Sequence, residues 1–157
     1  MIEIKLSQSE EVLLLRQQLL RPRQTIAECV YSSDHVEDAR HFSAFDAGQQ
    51  VGVVSVYPEQ LISVPGENHL VAFDNKIGWR IRAMAVLPDY RKQGVGRLLM
   101  TALKEYVWGR CDAHDHYIWC NARVVALEFY KRQGFNILGE EFELPGIGPH
   151  FVMYKSF

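Results

Sequence analysis

Apolar and polar positions alternate regularly enough along the chain to place most of its elements. Ile2, Ile4 and Leu6 alternate with Glu3 and Lys5, the period-two signature of a strand. Leu13, Leu14 and Leu20 predict the core-facing side of a helix over residues 10–20, capped by Ser7 or Ser9 and stopped by Arg21-Pro22. Residues 24–38 have no clear period and read as a short helix or a loop. Residues 41–46 and 51–57 read as two strands joined by the turn Asp46-Ala47-Gly48-Gln49. Residues 58–76 are polar and broken by Pro65-Gly66; so long a stretch either extends a strand or covers a site. Residues 78–87 read as the next strand.

The second half is patterned more strongly. Val95, Leu98, Leu99, Ala102, Leu103, Tyr106 and Val107 form one continuous apolar helix face, with Gly109 as the stop. Residues 117–120 read as a short strand. Asn121 is placed to cap a helix over 122–133, whose Val125, Ala126, Phe129 and Tyr130 share a face and which Gly134 ends. Residues 135–144 and 150–154 read as strands around Pro145-Gly146-Ile147-Gly148-Pro149. The order β-α-(α)-β-β-β-α-β-α-β-β predicts one α/β domain over residues 1–157, with a mixed sheet that contains parallel pairs.

Composition narrows the function classes. A formal charge of −2 gives no broad attraction to nucleic acid or to anionic membrane, although Arg80, Arg82, Arg91, Lys92 and Arg97 can form a local basic patch. Three cysteines, Cys29, Cys111 and Cys120, with no CxxC spacing argue against a disulfide framework or a zinc site. No apolar run approaches the ~20 residues of a membrane span, and residues 1–11 lack a signal-peptide apolar region. A reducing cytoplasm is the expected location.

The candidate chemistry begins at Val86-Leu87-Pro88-Asp89-Tyr90-Arg91-Lys92-Gln93-Gly94-Val95-Gly96-Arg97. A strand ends at a proline, a polar turn follows, and two glycines open a helix. Unpaired N–H groups and the macrodipole at such a helix start favour an anion, and Arg91, Lys92 and Arg97 add positive charge. The GxxxxGK[ST] phosphate loop is absent, and Leu99 occupies the third glycine position of a dinucleotide fingerprint.

What remains, Arg-x-x-Gly-x-Gly, resembles the pyrophosphate signature of the GNAT superfamily of acyl-CoA-dependent N-acetyltransferases. The run Asn121 to Phe135 resembles the second hallmark, N-x-x-A-x-x-F-Y-x-x-x-G-F, with Ala126 five residues after Asn121. The segment 139–150 resembles a bacterial subgroup whose members have no assigned substrate. The resemblance spans nearly the whole chain and is weakest over residues 24–38 and 58–76.

It implies a mixed, mostly antiparallel sheet with a splayed parallel strand pair and flanking helices. It also implies acetyl-CoA as co-substrate, with no metal. Pantetheine would bond the backbone of Met84, Ala85 and Val86, and the pyrophosphate would sit on the N–H groups from Gln93 through Gly94, Val95 and Gly96 to Arg97. Asn121 is either a helix cap or a CoA contact. Tyr130 is either a core tyrosine or the acid that protonates the departing thiolate.

For the base, Glu28, His41, Glu141 and His150 are candidates, with His150 preferred; none occupies a fixed family position. Arg80 and Arg82 alternate onto one strand face with Met84. They either form salt bridges or, with Glu28, recognise the acceptor. The expected acceptor is the primary amine of a small molecule. A protein amine is the alternative within the class, and a non-catalytic acyl-CoA sensor is the alternative outside it. Members of the superfamily are often dimers, which leaves a homodimer open.

Overall fold

The period-two segments become seven strands: β1 (Ile2–Ser7), β2 (Arg40–Asp46), β3 (Gln49–Pro58), β4 (Ile77–Val86), β5 (His116–Arg123), β6 (Asn136–Leu144) and β7 (Gly148–Ser156). The helices are α1 (Leu13–Leu20), α2 (Val95–Trp108) and α3 (Leu127–Arg132). This computed structural model describes residues 1–68, 70, 73–111 and 115–157. Among the described residues the sheet order is β1-β2-β3-β4-β5-β7-β6, with the parallel pair at β4 and β5. The chain divides into two compact units, Met1–Tyr57 with Ile81–Gly109, and Pro58–Arg80 with Arg110–Phe157.

In the first unit β1, β2 and β3 form an antiparallel meander. Ala47 (φ 46°) and Gly48 (φ 85°) both adopt left-handed backbone, which makes the tight turn between β2 and β3. The apolar face of α2 buries Val95, Leu99, Met100, Leu103 and Val107; Leu98, expected on that face, is exposed, and Met100 is buried instead. A Cβ on Gly52 would lie 3.1 Å from Leu99 Cδ1 and 3.2 Å from the Ala85 carbonyl oxygen, so the absence of a side chain there lets the first turn of α2 seat directly on β3.

A buried ion pair ties the elements of this unit together. The Arg16 side chain, fully excluded from solvent, donates from Nη1 to Asp34 Oδ2 (2.7 Å) and the Cys29 carbonyl (2.7 Å). Its Nη2 donates to Asp34 Oδ1 (3.1 Å) and Ser55 Oγ (3.0 Å). Arg16 also lies 4.2 Å from the Tyr31 ring centroid, and the Tyr31 N–H donates to Asp34 Oδ2 at 2.8 Å. Thus α1, the loop from Cys29 to Asp34 and β3 are joined through a single guanidinium.

In the second unit β4 pairs with β5 from Ile77–His116 to Arg80–Trp119, and β5 pairs antiparallel with β7, which pairs with β6. Its core contains Leu61, Val64, Phe73, Tyr117, Trp119 and Val152. β6 carries a bulge between Leu138 and Phe142, where Gly139 turns to φ 76°. Any Cβ there would strike the Pro65 carbonyl, and the neighbouring Glu140 N–H donates to that oxygen at 2.8 Å.

Several local expectations need correction. Neither Ser7 nor Ser9 caps the first helix: Gln8, whose N–H donates to Glu11 Oε2 at 2.6 Å, is the N-cap of a 3-10 turn over Ser9–Val12, and Val12 is the N-cap of α1. That turn rotates the face, so Val12, Leu15 and Arg16 are buried while Leu14 is exposed. Residues 24–38 are two short 3-10 turns, Ala27–Cys29 and Ser32–His35. Asn121 is not a helix cap, because β5 continues to Arg123 and sets Asn121 opposite Val152. The following helix starts at Leu127 rather than at 122, after a 3-10 turn over Val124–Ala126 that leaves Val125 outside its apolar face, 93% exposed. The stretch 58–76 holds an isolated bridge, Val64 to Glu67; its residues 69, 71 and 72 lie outside the described residues.

Asp34→Asn leaves Arg16 buried without a counter-charge. Its expected cost is about 3–5 kcal/mol in urea unfolding. The paired replacement Arg16→Met with Asp34→Leu is expected to recover most of that loss.

Candidate active site

The end of β4 and the start of α2 lie in the first unit. After Val86 the chain makes a 3-10 turn over Pro88–Tyr90, with proline where a missing N–H costs nothing. Arg91 Nε donates to the Val86 carbonyl at 3.0 Å, which anchors its guanidinium at the strand end. Gln93 Nε2 donates to the Asp89 carbonyl at 2.5 Å, and Tyr90 Oη donates to Asp46 Oδ2 at 3.2 Å.

Lys92 (φ 60°) and the N-cap Gly94 (φ 86°) both take left-handed backbone, and this reverses the chain into α2. The first helical bond runs from Leu98 N–H to the Gly94 carbonyl at 3.0 Å. The N–H groups of Val95, Gly96 and Arg97 therefore lack intrahelical acceptors and carry the positive end of a 14-residue helix.

The parallel ladder stops at Arg80 and Trp119, although β4 continues to Val86. Ala83 sits at φ 55°, a strained value for a residue with a Cβ. This kink interrupts the pleat between Arg82 and Met84, so the period-two argument that aligned them does not carry across it. The two arginines have different partners. Arg80 Nη1 pairs with Glu59 Oε2 at 2.8 Å and its guanidinium lies 4.8 Å from the Trp119 ring centroid. Arg82 lies over Tyr31, 3.6 Å from the ring centroid.

In the second unit Tyr130 is buried in α3 between Phe129 and Phe135, with ring centroids 5.1 and 5.5 Å away. Gly134 (φ 89°) ends this short helix, and the Phe135 N–H donates to the Tyr130 carbonyl at 3.0 Å. Burial, reinforced by the neighbouring Cys120 thiol, pushes the Tyr130 phenol well above its ordinary value. Burial likewise pushes the Cys120 thiol up to about 12, against the opposing effects of the Tyr130 hydrogen bond and the Arg80 charge. Cys120 is thus packing, not a nucleophile.

The candidate bases differ in setting. His150 is buried on β7 opposite Arg123 and Phe142, and its Nδ1 donates to the Gly148 carbonyl at 2.7 Å. Glu28 is exposed, and its carboxylate accepts the Thr25 N–H at 2.7 Å in a local capping box. Glu141 is exposed.

His41 is buried in the ion-pair cluster with both ring nitrogens engaged. Nε2 donates to the Asp34 carbonyl at 3.0 Å, which leaves Nδ1 to accept from Ser55 Oγ at 2.7 Å. Burial holds its pKa below 6.5, outweighing the help of the Asp34 contacts. This arrangement makes His41 a structural group. Asn121 and Ala126 are half-buried, the latter at the N-cap of α3.

The pattern of residues gave no warning of the Arg16, Asp34 and Ser55 cluster. The available signal was an arginine directly after the run Leu13-Leu14-Leu15.

The profile of the acetyltransferase (GNAT) domain matches residues 37–137, which include both the turn into α2 and the β5–α3 segment. The chain belongs to the GNAT superfamily. It is 35% identical over 156 residues to YitI, an uncharacterised N-acetyltransferase of Bacillus subtilis strain 168, covering 99% of this chain and 97% of that one.

Among solved structures, Escherichia coli ElaA superposes with a TM-score of 0.70 at 20% identity, covering 99% of both chains. An aminoglycoside 6′-N-acetyltransferase complexed with coenzyme A gives 0.64 at 17% identity, covering 98% of this chain and 96% of that one. The GNAT fold, with its one parallel pair in a mostly antiparallel sheet, and the acyltransferase class follow. Among the described residues no helix is long and apolar enough to cross a membrane.

The buried His41 predicts acid sensitivity. Its folded pKa is depressed, so the unfolded chain gains protons first as pH falls below about 6.5, and stability drops there. Asp34 acts in a lower window. Burial raises its carboxyl, but the Arg16 and Tyr31 hydrogen bonds and the Arg16 charge outweigh that and hold it below 3.8. Its contribution is present above that value and lost as pH falls through the folded pKa. Urea unfolding between pH 7 and 5 is expected to show a shallower decline in His41→Gln than in the wild type.

Proposed function

We propose that this GNAT domain, residues 1–157, transfers the acetyl group of acetyl-CoA directly to a primary amine of a small-molecule acceptor. The observation that carries this reading is the reversal at Lys92 and Gly94, which opens α2 with three N–H groups lacking helical acceptors beside the anchored Arg91. That is a site built for a pyrophosphate. The backbone of Met84, Ala85 and Val86, beyond the end of the parallel ladder, offers strand-like hydrogen bonds to pantetheine. An N–H at Met84 or Ala85 would stabilise the tetrahedral oxyanion. Lys92, Gln93 and Arg97 complete the phosphate cradle, and Asn121 and Ala126 are proposed CoA contacts.

The amine must lose a proton before it attacks the thioester carbon, and the leaving thiolate must gain one. Tyr130 is the proposed acid. Its raised pKa keeps the phenol protonated at neutral pH, and the rings of Phe129 and Phe135 fix its ring. His150 is the proposed base: donation from Nδ1 to Gly148 makes Nε2 the basic atom of the neutral ring. A second reading, an acyl-CoA-binding sensor, draws on one observation: the Tyr130 side chain is buried beside the Cys120 thiol.

CoA release should be followed with acetyl-CoA and a panel of polyamines, amino acids, amino sugars and lysine peptides. Tyr130→Phe is expected to lower kcat about 10²-fold with acetyl-CoA affinity unchanged, whereas Cys120→Ala keeps most of its activity. Acetyl-CoA binding without transfer to any amine would establish the sensor instead. Arg91→Ala is expected to raise the KM for acetyl-CoA by about tenfold while leaving kcat nearly unchanged.

A further inference from the structure

Arg82 is set apart from the other basic residues of β4. Arg80, two positions earlier, is neutralised by Glu59. Arg16, which also faces the Tyr31 ring, is neutralised by Asp34 in a two-pronged pair. Arg82 has neither a carboxylate nor a hydrogen-bond acceptor among the described residues; its one contact is the Tyr31 ring, 3.6 Å from the guanidinium carbon. It is half-buried, so water satisfies its donors only in part.

The ring that carries Arg82 is itself fixed. The Tyr31 N–H is held by Asp34, and Arg16 packs on the ring at 4.2 Å. Stacking orients a guanidinium plane without consuming its donors, and this presents the flat fork that matches a carboxylate bidentately. Arg82 lies two residues before Met84, immediately ahead of the strained Ala83, on the strand end proposed for the thioester.

We infer that Arg82, stacked on Tyr31, is a subsite for a carboxylate on the amine acceptor, so that the substrate class is a small amino-carboxylate. This rests on the acetyl-transfer reading above. One uncompensated cation matches one negative charge, which favours a carboxylate over a phosphate dianion. Glu28 and Arg80 are not needed in this role, because each already has a protein partner.

The test compares glycine, β-alanine and γ-aminobutyrate with their carboxamides, and with O-phosphoethanolamine, as acceptors of acetyl from acetyl-CoA. Wild type, Arg82→Gln and Arg82→Lys are assayed together. The expected result is a preference of about tenfold or more in kcat/KM for at least one carboxylate over its amide, carried mainly in KM. Arg82→Gln should abolish that preference, Arg82→Lys should restore part of it, and acetyl-CoA affinity measured by calorimetry should be unchanged in both.

Amides used as well as their carboxylates by the wild type, a preference that survives Arg82→Gln, or a stronger preference for O-phosphoethanolamine would each overturn the assignment. Acceptor binding is read in parallel as a thermal shift of the acetyl-CoA-saturated protein. A carboxylate-dependent shift that requires Arg82, with no acetyl transfer, would sink the transfer reading and leave the subsite standing. Neither a shift nor turnover with any carboxylate would sink the subsite.

Discussion

The first unit depends on a guanidinium that never meets water. Arg16 satisfies a carboxylate, a backbone carbonyl and a serine hydroxyl at once, and these partners come from two stretches of chain, the loop from Cys29 to Asp34 and β3. Burying this pair contributes little net stability, since the desolvation of two charges offsets their attraction. Its effect is positional. The loop from Cys29 to Asp34 has only two short 3-10 turns to shape it, and a wrong packing of that loop would strand a charge in the core. The ring of Tyr31 inherits its position from that requirement, as does the ring geometry of His41.

The other organising constraint is steric. Gly52 brings α2 against β3, and the left-handed residues Lys92 and Gly94 decide the direction in which the helix leaves the turn. The exposed N–H groups of α2 and the end of β4 are thus held by one short connection. The proposed phosphate cradle and a strand edge positioned this closely in sequence need no long-range contact to keep their spacing.

Much of this was legible from residue order. The α2 helix and the two-residue turn at Ala47 and Gly48 followed from periodicity and from glycine alone, because both features are local, although Leu98 was set on the buried face in place of Met100. The glycine-rich turn pointed to an anion for the same reason. Errors arose where a long-range partner decided the outcome. Asn121 has cap chemistry, but seven residue pairs with β7 hold it in a strand, a pairing no local window contains. Leu14 fits a helical stripe, but a preceding 3-10 turn rotates that stripe by a fraction of a turn. The burial of Arg16 leaves no local trace, because its counter-charge lies 18 positions away. The separate fates of Arg80 and Arg82 were hidden likewise, since Glu59 and Tyr31 stand far from them in sequence.

The thiol at Cys120 has a consequence of another kind. With a pKa near 12, its thiolate fraction at neutral pH is on the order of one in 10⁵. Cys29 is shifted the same way, by burial that outweighs the charges of Arg16 and Arg21. Peroxides, electrophiles and glutathione disulfide all react through the thiolate, so both positions are chemically silent. A protein proposed to release a free thiol with every turnover thus keeps two of its own sulfurs out of exchange with that product, and oxidative stress reaches the fold through these two cysteines only after the core has opened.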